Sequence, residues 1–162
     1  MGRKRVVLLP LASLFAVEPA PRGALEKRLA EVSASEDDRK AAVVKGKELT
    51  GLCASCHGPD GNSTKPDVPH LASQNTAYLL EQMERFADGR RHDYIMSPLA
   101  KRFSAEEKIA LVLYYSVQTR RYEYKHPDDP AMVVRGRGKQ GYSYIAGLPE
   151  KYVSSTLTHF RE

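Results

Sequence analysis

Four stretches of this chain carry apolar residues at helical spacing, separated by polar, glycine-rich or charged runs. In the first, Ala42, Val43, Gly46, Leu49 and Leu52 share a face, and Glu36, Asp37 and Asp38 sit where acids suit a helix N-terminus. This predicts a helix that starts near Ser35 and runs into Cys53. Residues 23–35 read as a charged lead-in. In the second stretch Tyr78, Leu79, Gln82, Met83 and Phe86 repeat as one helical face, opened by Asn75 as a cap and closed by Asp88-Gly89. In the third, Ser104 and Glu107 form a capping box ahead of Ile109, Val112, Leu113 and Ser116. The fourth places Tyr152, Val153, Leu157 and Phe160 on one face, with Pro149 near its start. Gly58 to Pro69 reads as loop, and Arg90 to Arg102 as irregular. No segment alternates as a strand does, so the fold class is all-α.

The 162 residues suit one domain with an appendage. The formal charge is +5. Removing the first 22 residues, which hold Arg3, Lys4, Arg5 and Arg22 against Glu18, leaves +2. No basic face alternates with aromatics, which argues against a nucleic-acid partner. The basic start and the apolar run Val6 to Val17 read as an export signal, implying a periplasmic protein. That run is shorter than the roughly 20 residues a spanning helix takes, and no other segment reads as transmembrane. Ala20 fits the end of a signal, but Glu18 fits badly before it, so an uncleaved anchor or a misassigned start is the alternative.

Only two cysteines are present, in Cys53-Ala-Ser-Cys56-His57. This is a pattern of covalent haem attachment. Thiols three residues apart on a helical turn can add to two vinyl groups on one edge of a porphyrin. The following imidazole is then carried over the iron. A disulfide would not require the histidine. A thioredoxin-like pair needs a βαβ context, and a zinc site needs further ligands at suitable spacing, which His70 and His92 do not supply. The implied cofactor is one covalent haem c with His57 as an axial ligand.

The second axial ligand is sought among four methionines. Met1 belongs to the leader, Met83 to the apolar face of the second helix, and Met132 to a charged arm. Met96 lies in the irregular stretch, where the chain can wrap to the far side of the haem. It is the first candidate, with His92 the alternative. A six-coordinate iron points to electron transfer rather than catalysis. The Pro69 carbonyl is the candidate acceptor for the other N–H of His57. Arg90, Arg91, Tyr78 and Tyr94 are candidates for neutralising haem propionates.

An internal echo follows. Leu71-Ala72-Ser73 matches Ile145-Ala146-Gly147, Tyr78-Leu79 matches Tyr152-Val153, Met83 matches Leu157 and Phe86 matches Phe160, all 74 positions apart. Where a second haem motif would stand, the chain reads Arg135-Gly-Arg-Gly-Lys139-Gln140-Gly141. The expected organisation is therefore a signal (1–22), a haem domain (23–120), then an arm and a degenerate haem-less repeat (121–162). That remnant buries too little to fold alone, so it must dock on the haem domain or on a partner. Seven of the nine tyrosines lie from Tyr114 onward, a composition enriched at interfaces.

Cys53 to Gly58 with Gly61-Asn-Ser63, Ile95-Met96 with Leu99-Ala-Lys101 and Ser104, Gln118-Thr119, and Tyr144 to Gly147 with Tyr152 and Phe160-Arg-Glu162 together resemble two-domain class I cytochromes c. The resemblance is greatest to the cytochrome subunit of flavocytochrome c sulfide dehydrogenase. It implies an electron-transfer subunit, itself non-catalytic, beside a flavoprotein that carries FAD and oxidises sulfide. A soluble or membrane acceptor would then take the electrons. A free periplasmic monohaem carrier is the alternative. The family's second haem has no counterpart here.

Overall fold

The computed structural model describes residues 23–121 and 148–159. The described residues form seven helices and no strand: α1 (Ala24–Ala34), α2 (Glu36–Leu49), α3 (Gly51–His57), α4 (Thr76–Asp88), α5 (Met96–Ala100), α6 (Ala105–Ser116) and α7 (Glu150–His159). The all-α expectation holds for these residues. The expected export signal, the bulk of the arm with Met132, and Phe160 lie outside them.

The core is built from α1, α2, α4 and α6. Helix α6 is its centre: Ile109, Leu111, Val112 and Leu113 are buried on every side that a neighbour can reach. The capping box starts it as expected. Ser104 Oγ accepts from the Glu107 N–H at 3.3 Å, and Glu107 Oε2 accepts from the Ser104 N–H at 2.8 Å. Helix α2 is opened by Ser35, whose hydroxyl accepts from the Asp38 N–H, and it crosses α6 at Gly46. A Cβ there would lie 2.7 Å from the Tyr114 Cβ and collide with the Ala110 carbonyl oxygen, so only glycine lets the axes approach this closely.

Two expectations are corrected. Residues 23–35 are not an unstructured lead-in, because Ala24–Ala34 is a helix. Its stripe is narrow: Leu29 and Val32 are buried and Leu25 packs against the cluster, while the rest is charged or small. The irregular stretch 90–102 also contains the short helix α5. The first predicted helix does reach the cysteines, but in two pieces. The chain steps at Thr50, whose hydroxyl donates to the Lys47 carbonyl at 2.8 Å. Helix α3 restarts there, with the Ala54 N–H donating to the Thr50 carbonyl at 2.8 Å.

Helix α4 is capped by Asn75, whose side chain accepts from the Tyr78 N–H at 2.9 Å, and it stops at Gly89. Its Glu84 meets Lys108 of α6 at 2.7 Å, a pair set at the edge of the core. These packings leave a crevice between α3, α4, α5 and α6.

Candidate functional site

A cavity of about 240 Å³ occupies that crevice. Cys53, Cys56 and His57 line it from α3, and Met96 lines it from the start of α5. Three donors from one short motif and a fourth some forty residues on thus face one space. The walls between them are apolar, including Leu79, Phe86, Leu99, Leu111 and Val112.

His57 is buried, and its Nδ1 lies 2.9 Å from the Pro69 carbonyl oxygen. A carbonyl can only accept, so this contact puts the proton on Nδ1 and leaves the Nε2 lone pair available to a metal. Burial lowers the imidazole's affinity for a proton, the Pro69 bond opposes this, and Lys65 adds to the lowering. The neutral form, which a metal requires, is favoured. Both cysteines are free thiols, and burial pushes the Cys53 thiol up. Neither is spent on a disulfide.

The loop that presents Pro69 is held from behind. Gly61 adopts φ 78°, and its carbonyl accepts from both the Leu71 and Ala72 N–H groups. A Cβ there would lie 2.7 Å from the Tyr115 ring, so glycine is required for position as well as for backbone. Ser63 donates to the Cys56 carbonyl at 3.1 Å. Buried Asn62 donates to the Thr119 carbonyl at 2.9 Å and accepts from the Arg121 N–H at 2.7 Å. Arg120 donates to the Ala72 carbonyl at 2.8 Å, and the Tyr114 hydroxyl to the Pro59 carbonyl at 3.1 Å. Sequence reasoning missed Asn62 and Arg120 as supports of the site. Asn62 lay within the quoted Gly-Asn-Ser segment, whereas nothing local marks Arg120.

Elsewhere on the lining, Asp93 turns the chain into α5. Its carboxylate accepts from the Ile95 and Met96 N–H groups at 2.9 and 2.7 Å. Ser97 locks the turn by accepting from the Asp93 N–H at 3.0 Å. Met96 is fixed at the cavity by these bonds. His92 is exposed and does not line the cavity. Met83 reaches the cavity too, but from the middle of α4, where it packs against the hydrophobic cluster.

The propionate candidates separate. Tyr94 is 90% exposed, and Arg90 is engaged on the surface by Asp88 and Glu81. Tyr78 and Arg91 line the cavity. Arg91 is its one arginine or lysine among the described residues, and its guanidinium stacks 4.5 Å from the Phe86 ring centre.

The donor set fits a covalently held haem. Two free thiols, a neutral imidazole and a thioether share one apolar crevice, and a single cation is available for carboxylates. Among the described residues no three His, Cys, Asp or Glu side chains converge to hold a metal ion, so iron would depend on a porphyrin here. No helix among them is long and apolar enough to cross a membrane.

Comparison with known proteins agrees. The family model for cytochrome c matches residues 43–115. Cytochrome c4 of Thiocapsa roseopersicina is 37% identical over 139 residues, covering 70% of this chain and 71% of that protein. The cytochrome subunit of sulfide dehydrogenase from Chlorobaculum tepidum is 31% identical over 71 residues, covering 44% of this chain and 64% of the relative. Among solved structures, reduced recombinant cytochrome c4 from Pseudomonas stutzeri superimposes with a TM-score of 0.60 at 26% identity, over 72% of this chain and 78% of that one.

Proposed function

Because the chain belongs to the cytochrome c family, we propose that it carries single electrons through one covalent haem c, bound by Cys53 and Cys56 and ligated by His57 and Met96. One observation carries this reading: those four side chains, spread from residue 53 to 96, line the same cavity. Bound there, a haem would supply one-electron redox chemistry. The protein's residues do the rest. The thiols fix the cofactor's position without reliance on burial. Pro69 holds the His57 ring in one tautomer and one orientation. The Asp93 turn fixes the Met96 backbone at the cavity, and a thioether ligand would favour the reduced metal. The apolar lining excludes water and keeps reorganisation small when charge changes. Arg91 is placed to meet a propionate.

The physiological setting is read as follows. The leader exports the chain to the periplasm, and a redox protein there exchanges electrons with it. The sulfide dehydrogenase relative, itself a cytochrome subunit, supports a dehydrogenase partner; that this partner is a flavoprotein carrying FAD rests on the family resemblance of the sequence. A free monohaem carrier is the second reading. It is favoured by α7, which packs its Tyr152 against the chain's own cavity rather than standing clear of it.

Purification from the native host, with absorption spectra and an intact mass, tests both levels. Colour that survives acid–acetone extraction, with the mass of one haem added, is the expected result. A colourless protein of bare polypeptide mass refutes the function. Flavin that co-purifies supports the subunit reading, whereas a flavin-free monomer supports the free carrier.

A further inference from the structure

The C-terminal helix sits where the haem reading gives it no task. Helix α7 has ten residues, too few to be stable alone in water. Its order must come from what it packs against. Tyr152 and Val153 are half-buried, while Leu157 is 58% exposed. Leu148 and Tyr152 both line the cavity, some 95 residues beyond the cysteine pair. The Lys151–Asp67 contact at 3.9 Å joins two well-exposed side chains and holds little. The specific contact is between Tyr152 and Arg91: the guanidinium Nη2 donates to the tyrosine oxygen at 3.4 Å.

Arg91 is gripped on three sides. Phe86 presents its ring face, Gln82 Oε1 accepts from Nη1 at 2.7 Å, and Tyr152 accepts from Nη2. A guanidinium has five N–H donors in a rigid fork, so these two bonds leave donors for a carboxylate. Arginine loses much rotamer freedom when fixed, and a partner on each side removes that cost before the carboxylate arrives. Phe86 and Gln82 come from α4. Only Tyr152 comes from the C-terminal segment, which retains a helix but no haem motif.

We propose that α7 forms a wall of the haem crevice and that Tyr152 is a positioning residue, holding Arg91 toward a haem propionate. The remnant of the second repeat thereby acts on the first domain's haem. This rests on the haem reading above and adds a role for the C-terminal segment. The effect on the iron has a definite sign. A cation beside a propionate screens its negative charge from the iron. Weakening that screen favours the ferric state and lowers the midpoint potential.

The test is a double-variant cycle on the full-length haem protein, read by redox titration. Y152F keeps the ring and removes only the hydroxyl. R91Q removes the cation. The expected result is that Y152F lowers the midpoint potential, R91Q lowers it further, and the double variant matches R91Q alone, because Tyr152 acts through Arg91. The methionine–iron absorption band should persist in all three, and L157A, on the exposed face of α7, should titrate as wild type. A Y152F potential equal to wild type overturns the proposal, and so does a double variant whose shift is the sum of the two single shifts. Wild-type protein without covalent haem would overturn the haem reading itself. Haem-loaded wild type with an unshifted Y152F overturns the role of Tyr152 alone.

Discussion

Replacing Gly46 with alanine sets two opposed effects against each other at the α2–α6 crossing. Alanine is the better helix former, by about 0.5–1 kcal/mol. The added methyl, however, would lie 2.7 Å from both the Ala110 carbonyl carbon and the Tyr114 Cβ, and nearer still to the Ala110 oxygen. Two of these atoms are backbone and the third is a Cβ, so no rotamer change relieves the contact. The helices must separate, and overpacking of this kind costs about 1–3 kcal/mol. With a backbone obstacle the cost belongs at the upper end, leaving a net loss of about 2 kcal/mol after the helix gain. Gly51 provides the control, because a Cβ there meets nothing within 4 Å. Urea melts of the haem-loaded protein, followed by circular dichroism, should show a lower midpoint with unchanged slope for G46A. G51A should equal wild type or exceed it. Since α2 leads through Thr50 into the cysteine helix, the haem absorption of G46A should broaden as well. If both variants melt alike, sterics at the crossing do not decide the outcome and the account of Gly46 is wrong.

Three further outcomes are expected. M96A should retain covalent haem but lose the methionine–iron absorption band and fall in midpoint potential; a spectrum identical to wild type would exclude Met96 as the ligand. S104A should lose about 1 kcal/mol of stability near neutral pH through the broken cap on α6, measured by urea melts. The Glu107 half of the box should add a pH dependence: the Ser104 N–H and hydroxyl hold the Glu107 carboxyl below its ordinary value of 4.5, so the stability that E107Q forfeits is full above that value and falls away as pH drops through the lower folded one. A wild-type-minus-E107Q difference in urea melts that stays constant down to pH values well below ~4 would refute the reciprocal bond.

What the chain declared in advance was whatever is decided locally. The capping box at Ser104, the Asn75 cap and the i, i+4 face of α4 each involve residues within one or two turns, so their pattern is also their cause. Helix α1 escaped notice because it buries only Leu29 and Val32, with Leu25 partly covered, in a strongly charged context, and Gly23 offers no side-chain cap. The core supplies the stability that its own sequence advertises weakly. Helix α5 is held by Asp93 and Ser97, at a scale shorter than any hydrophobic period. The cysteine motif points to its chemistry through residue order and spacing, which are also local. Which arginine faces the cavity was not legible, since Arg90 and Arg91 are neighbours and only the surrounding acids and α4 decide between them. The grip of Asn62 on Thr119 and Arg121 spans nearly 60 residues, beyond any local signal.

That grip has a kinetic implication. The cysteines and His57 are adjacent, so a haem joined to them is tethered before any tertiary structure exists. The loop that presents Pro69 is a different matter. It is fastened to the segment leaving α6, and those bonds cannot close until α6 has folded and swung back across the chain. Long-range closures of this kind are slow and late. A chain that held a haem through Cys53 and Cys56 would thus carry it before His57 is fixed, and the docking of α6 would be the step that completes the redox centre.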